Sequence, residues 1–290
     1  VDLISYIDRM PEDGETIEAP DFQLGSGGKG ANQAMAARRL GSEVLMITRV
    51  GSDLFADNTI KNFEDNGFDT KYVLRTEGTS GVAPIFVDKE SNNRIIIIKG
   101  ANAELSPADI DDAAEDIAAC KLIVLQLEID IETVYYAIEF GTKHGIPVLL
   151  NPAPADPNLD LDRVKDCTYL MPNETELALL TGMPVESEEE IEAAARKLLD
   201  AGIKDVIVTL GSRGALWVNG EAATRYQGER VDAVDTTGAG DAFIGCFSHV
   251  LVQTGDIDTA ITIANRYAAD SVTRRGTQTS FATAEEFGLE

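Results

Sequence analysis

The sequence predicts a three-layer α/β/α fold with a mainly parallel, doubly wound sheet and a small β-sheet lid. From residue 122 onward, short β-branched runs alternate with longer stretches of helical periodicity. Such alternation implies right-handed crossovers and a parallel sheet covered on both faces. Two neighbouring apolar runs within residues 81–99 break the alternation and read as a hairpin at one edge. Glycine-rich and polar clusters fall where strands meet helices, which is where open α/β sheets bind ligands.

Residues 2–24 are polar, interrupted by Pro11, Gly14 and Pro20, and read as strand and turn. Ala, Met and Leu at helical spacing make 29–40 a helix, with Gly41 at its stop. A strand follows at 43–50 and a helix at 55–66. In the hairpin, GVAPIFV and RIIIIK flank the turn-rich DKESNN. A helix spans 106–119, with Ser106 as its cap and Pro107 in its first turn. Next come a buried strand at 122–127, a helix at 131–144 and a strand at 147–150. Helices at 173–180 and 188–200 precede a strand at 205–210. Two helices, about 239–253 and 257–273, close the fold. No repeat, low-complexity tract or long linker divides the chain. Residues 1–290 are therefore expected to form one α/β domain, with the lid drawn from about 3–24 and 80–99.

The chain has 290 residues, 44% of them hydrophobic, enough to bury a substantial core. No apolar run approaches the roughly 18 residues of a membrane span, and no secretory leader is apparent. A soluble cytoplasmic protein without membrane partners is the expectation. The 24 Lys and Arg stand against 50 Asp and Glu, a formal charge of −26, opposite to what a phosphate-backbone binder needs. Nucleic acid is therefore excluded as a partner, and an anionic substrate must be held by local positive dipoles. Cys120, Cys167 and Cys246 are scattered without CxxC spacing, which fits a reducing compartment and neither a disulfide framework nor a zinc site. Two histidines, His144 and His249, give no basis for a histidine triad.

Four clusters carry the chemistry. GSGGKGAN (25–32) formally matches GxGxxG, but a turn-rich segment precedes it and Lys29 is followed by Gly30, so neither the dinucleotide fingerprint nor a Walker loop is satisfied. Its glycines let backbone N–H groups approach a ligand, with Lys29 and Asn32 adding directional polar groups; a helix-capping turn is the plain alternative. VDTTGAGDAF (234–243) places small residues at a helix start, leaving N–H groups free at the positive end of the dipole. That is an anion hole, and Asp241 beside it suits proton removal from an attacking hydroxyl. A first-turn acid favoured by the dipole is the plain alternative for Asp241. Asn173 and Glu176 fit either a capping box or a carboxylate organising magnesium beside a nucleotide. TLGSRG (209–214), at a strand end, is a turn or a nucleotide-lining loop.

GGKGANQA (27–34), LNPAP (150–154), PNETE (172–176), TLGSRG (209–214), DTTGAGDAF (235–243) and VTRRGTQ (272–278) occur in the order seen in ribokinase-like (PfkB) carbohydrate kinases. The resemblance covers nearly the whole chain. SGVAPIFV, LIVLQLE and AVDTTGAGDAFIGCF are most similar to ribokinases and bacterial deoxyribokinases within that family. It implies an ATP-dependent kinase for the primary hydroxyl of a pentose, ribose or 2-deoxyribose. Asp241 would be the base, and the amides of Gly238, Ala239 and Gly240 would hold the developing charge. Asp2, Gly28, Lys29, Asn32 and Glu128 would grip the sugar. Asn173, Thr209, Gly211, Gly214 and Gly240 would line the nucleotide, with Asn265 near the adenine and Glu176 serving Mg2+. A K+ ion would sit among Asp235, Thr237, Ser271, Arg274, Gly276 and Ser280. The lid would close over the sugar and form a homodimer interface.

The chain departs from the family in one respect. Members begin with a buried strand ending in a Gly-Ser-x-Asn-x-Asp-like stretch, and Asp2 matches its Asp. The sugar-facing position two residues earlier, which helps separate ribose from 2-deoxyribose, is then outside the sequence, as is a strand expected at the centre of the sheet. Other readings are an adenosine- or hexose-directed kinase, a non-catalytic sugar sensor, or a dinucleotide-dependent oxidoreductase, which leaves DTTGAGD unexplained.

Overall fold

The computed structural model describes residues 1–89 and 93–289. Residues 90–92, within the expected DKESNN turn, lie outside the described residues. The chain opens with β1 (Asp2–Tyr6), β2 (Asp21–Gly25), α1 (Lys29–Arg39), β3 (Thr48–Val50), α2 (Leu54–Asp65) and β4 (Val73–Arg75). It continues through β5 (Ala83–Val87), β6 (Asn93–Ile95), α3 (Pro107–Asp112), α4 (Ala114–Ala118), β7 (Ile123–Leu125), α5 (Ile131–His144) and β8 (Val148–Leu150). Then follow α6 (Leu161–Val164), β9 (Tyr169–Leu170), α7 (Glu174–Thr181), α8 (Glu188–Asp200) and β10 (Asp205–Thr209). The antiparallel pair β11 (Gly214–Asn219) and β12 (Ala223–Gln227), α9 (Ala239–Thr254), α10 (Ile257–Ser271) and α11 (Ala284–Phe287) complete it.

The main sheet has the order β12-β11-β10-β9-β8-β7, with β7 to β10 parallel and the last two strands antiparallel. Successive side chains of a strand point to opposite faces, and the core divides accordingly. Leu149, Met171, Ile207 and Ala215 pack with Met35 and Ala36 of α1, Phe243 and Phe247 of α9, and Tyr267 of α10. Their neighbours Val148, Leu150, Leu170, Val206 and Val208 pack with Val134 and Ile138 of α5, Leu177 of α7, and Ile191 and Leu198 of α8. The result is a three-layer α/β/α sandwich.

A second sheet, ordered β2-β1-β5-β6, stands apart, with β1 paired antiparallel to β2 and parallel to β5. Its Phe22, Leu24 and Ile95 are exposed, as are Ile96, Ile97 and Ile98, which follow β6. The parallel pair β3–β4 is separate from the main sheet, so β3 and β7 do not share a ladder. A cavity of about 1310 Å³ runs between residues 42–50 and 121–126 and continues to the glycine-rich turn before α1.

Two expected elements are shorter or broken. The strand expected at 43–50 is regular only at Thr48–Val50, with Leu45 forming an isolated bridge to Asp69. Its earlier residues line the cavity, and among the described residues that bridge is their one ladder contact. The helix expected at 106–119 breaks at Ala113 (φ −99°, ψ 5°). Asp111 and Asp112 fall at the negative end of the first segment's dipole, which opposes continuation. Asp109 is also pinned by a bidentate ion pair to Arg49, at 2.6 and 2.9 Å.

Candidate active site

The parallel strands deliver polar residues to one rim. Beyond β7 come Gln126 and Glu128; beyond β8, Asn151; beyond β9, Asn173; beyond β10, the Gly211 turn. Asn173 and Thr209 form a parallel bridge, and Thr209 N–H donates to the Pro172 carbonyl at 3.0 Å. These are the carboxyl ends of the strands, where ligand crevices open.

The turn into α1 depends on missing side chains. A Cβ on Gly27 would lie 2.1 Å from an Asp2 carboxylate oxygen. Gly28 has φ +96°, a conformation that other residues avoid. The turn aims Lys29 N–H at Glu128 Oε2, 2.8 Å away. Asp2, Gly28, Lys29, Asn32, Glu128, Gly238 and Asp241 all line the large cavity. Burial pushes both the Asp2 and the Glu128 carboxyl up from their ordinary values, and the nearby Asp241 carboxylate adds to the shift. At this end of the cavity, the carboxylates of Asp2, Glu128 and Asp241 beside Lys29 suit a neutral polyhydroxylated ligand, whose hydroxyls donate to the acids.

Helix α9 starts at the same place. Gly238 has φ +78°, and a Cβ there would meet Thr277 Cγ2 at 2.4 Å. Ala239 N–H reaches the Thr236 carbonyl at 3.3 Å, while the amides of Gly240 and Asp241 belong to the first turn, where helical acceptors are absent. The positive end of the helix dipole lies behind them. Asp241 is 7% exposed; its Oδ2 accepts from Asn32 Nδ2 at 2.9 Å and its Oδ1 from Gln33 Nε2 at 3.0 Å. A carboxylate fixed in this way, open to a cavity and beside an anion-binding helix end, can take a proton from a hydroxyl.

Asn173, Glu176, Thr209, Gly211, Gly214 and Asn265 do not line that cavity; they lie along the rim and on α10. Asn173 and Glu176 form a capping box: Glu176 Oε2 accepts from Asn173 N–H (2.8 Å) and Oε1 from Asn173 Nδ2 (2.9 Å). Burial raises the Glu176 pKa. Capping uses only part of its lone-pair capacity, and a single hard carboxylate with water and phosphate oxygens is an ordinary Mg2+ environment. Among the described residues no cluster of three or more His, Cys, Asp or Glu could hold a metal unaided. Asn265 Nδ2 is buried without a hydrogen-bond partner, leaving a donor for an acceptor outside the chain.

Asp235 joins two loops, accepting from Thr237 N–H at 2.9 Å and from Gly276 N–H at 3.0 Å. Burial works to raise its pKa, but these hydrogen bonds outweigh it and the pKa is lowered. Arg274 donates to the Ser280 carbonyl at 2.7 and 2.9 Å, and Ser271 Oγ donates to the Ala268 carbonyl. The structure thus draws Asp235, Thr237 and Gly276 together. Their carboxylate and carbonyl oxygens are hard donors that fit a monovalent cation, whereas the Ser280 carbonyl already serves Arg274.

Gln33, which contacts Asp241 directly, carries no functional signal in the sequence. The GANQA run contains it, but an uncharged carboxamide has no spacing signature of its own.

Residues 1–284 match the family described as pfkB family carbohydrate kinase, and the chain belongs to that family. A deoxyribokinase of Salmonella typhimurium is 58% identical over 99% of this chain and 94% of its own. A ribokinase of Schizosaccharomyces pombe is 40% identical over 96% of this chain and 91% of its own. Among solved structures, Arabidopsis thaliana ribokinase complexed with ribose and ATP superimposes with a TM-score of 0.92 at 31% identity, covering 99% of this chain and 94% of that one. The chain is thus a carbohydrate kinase of ribokinase-like fold. No helix among the described residues is long and apolar enough to cross a membrane.

Proposed function

We propose that the protein transfers the γ-phosphate of ATP to the primary hydroxyl of a pentose, with 2-deoxyribose as its preferred substrate. The observation that carries the chemistry is Asp241, held at the glycine-rich start of α9 and facing the same cavity as Asp2, Lys29, Asn32 and Glu128. The 58% identity to a deoxyribokinase, against 40% to a ribokinase, favours the deoxy sugar. Asp241 accepts the hydroxyl proton as the sugar oxygen attacks the γ-phosphorus. The bond from that phosphorus to the bridging oxygen breaks, and ADP leaves. The amides at Gly238 and Gly240 would face the charge that develops, so positioning and electrostatics do most of the catalysis. Asn173, Thr209, Gly211 and Gly214 line the nucleotide side, and Asn265 Nδ2 meets the adenine.

Mg2+ would be served by Glu176 and would neutralise phosphate charge. K+ would be held by Asp235, Thr237 and Gly276, with Ser271 and Arg274 contributing carbonyls, and would add positive potential beside the helix start. The three free cysteines support a cytoplasmic setting. The exposed Phe22, Leu24 and Ile95–Ile98 support a homodimer through the second sheet, which would also close over the sugar. Sedimentation velocity should therefore give a dimer that Leu24→Glu converts to monomer; a monomeric parent would contradict the interface.

A coupled ADP-release assay tests the activity, comparing 2-deoxyribose, ribose, fructose and adenosine with Mg2+, in K+ and in a large organic cation. Turnover highest on 2-deoxyribose and reduced without K+ is expected. Silence on both pentoses would overturn the reading, and indifference to K+ would remove the cation from it.

A further inference from the structure

Asp241 stands where two chains of carboxamides meet. On one side, Gln126 Nε2 donates to Gln33 Oε1 at 2.6 Å, and Gln33 Nε2 donates to Asp241 Oδ1 at 3.0 Å and Asn151 Oδ1 at 3.2 Å. On the other, Asn62 Nδ2 donates to Gln278 Oε1 (2.9 Å), Gln278 Nε2 to Asn32 Oδ1 (3.0 Å), and Asn32 Nδ2 to Asp241 Oδ2 (2.9 Å). The members come from α1, α2, the ends of β7 and β8, and the turn at 278–280.

A carboxamide has a direction: its nitrogen donates, its oxygen accepts, and half a turn exchanges them. The network fixes that direction at Gln33. Asn151 Nδ2 donates to the Met171 carbonyl at 2.9 Å, and a carbonyl can only accept. Asn151 Oδ1 therefore faces Gln33, which must donate to it. Gln126 fills Gln33 Oε1 from the other side. A reversed Gln33 would set its oxygen against the carboxylate of Asp241 and leave Gln126 facing another donor. Gln33 is 2% exposed and Asn151 6%, so water is not at hand to replace a lost partner.

We infer that Gln33, oriented by Gln126 and Asn151, is a positioning residue for phosphoryl transfer: it holds Asp241 Oδ1 so that the carboxylate presents one fixed face to the sugar hydroxyl. Gln126 acts on Asp241 only through Gln33. This rests on Asp241 being the base.

The test is steady-state kinetics with sugar calorimetry on Gln33→Leu, Gln126→Leu and the double variant, repeated in an Asp241→Asn background. Gln33→Leu should lower kcat roughly tenfold to hundredfold, the scale of a lost hydrogen bond to a charged group. Sugar affinity should stay within about threefold, since the lost contact is to the base and not to the sugar. Gln126→Leu should cost less, and the double variant no more than Gln33→Leu, because one break already interrupts the relay. In the Asp241→Asn background, Gln33→Leu should not lower the residual rate further. Should Gln33→Leu fail to fold, Gln33→Met keeps the length of the side chain while removing the donor; kcat should again fall at constant sugar affinity. Normal kcat in Gln33→Leu beside an inactive Asp241→Asn would overturn the relay alone, as would additive losses or a loss confined to sugar KM. Near-normal turnover of Asp241→Asn is a separate result and would overturn the base assignment itself.

Discussion

Glu128 shows how the site sets function against stability. It shares the cavity with Asp2 and Asp241, and burial raises its pKa above the ordinary carboxylate value. For an acid raised in the folded state, the unfolded chain releases its proton first as pH rises. Stability is therefore lost from the unfolded value upward, through the folded one, and the cost is complete above both. Glu128→Gln removes that cost while keeping an oxygen for Lys29 N–H. Its thermal midpoint should exceed the parent's by about 2 °C at pH 7.5, with the gain vanishing toward pH 4. Sugar KM should rise roughly tenfold, the scale of one lost charge-assisted hydrogen bond. A destabilised Glu128→Gln at neutral pH would show that the buried charge is compensated. Lys29 and Asp241 were legible in the sequence because they sit in runs that local structure alone does not require, whereas Glu128 was legible only through the family resemblance. The amides around Asp241 were not, because their value appears only when residues more than 200 positions apart meet, as Gln33 and Asp241 do.

Among the elements, α1 and α9 matter most, since one carries the proposed sugar-side residues and the other the proposed base. They approach closely because α9 has a glycine where they touch: a Cβ on Gly245 would lie 2.5 Å from Ala36 Cβ and from the Gln33 carbonyl oxygen. Gly245→Ala must therefore part the helices, at roughly 1–3 kcal/mol in a denaturant melt. It should lower kcat as well, because α1 carries Asn32 and Gln33 toward Asp241. Unchanged stability would mean that the contact is not tight. Helix bounds with strong local signals were readable. Ile131–His144 lies between the Asp130 cap and Gly145 at φ +68°, and Glu188–Asp200 follows the Ser187 capping box. The pair β11–β12 escaped the reading although Asn219-Gly220 marks its turn, and β9 has too few residues to leave a periodic trace.

Across the whole molecule, the alternation of strands and helices sufficed for the layers, because each parallel strand must bury both faces. Separation of the β1–β2–β5–β6 sheet from the main one depends on tertiary pairing, notably the parallel match of β1 with β5. The net charge of −26 repels ATP at long range. In the proposed reaction, recognition of phosphate therefore falls to the amides at the start of α9 and to the cations, and the proposed base must work beside them without repelling the substrate. That places the central claim on one carboxylate. The most direct measurement is turnover of Asp241→Ala with 2-deoxyribose and ATP, paired with calorimetry of sugar binding to the same variant. The account predicts a rate lower by about 10² or more, in the range of general-base loss, with sugar binding still measurable. Turnover near the parent's rate would contradict it.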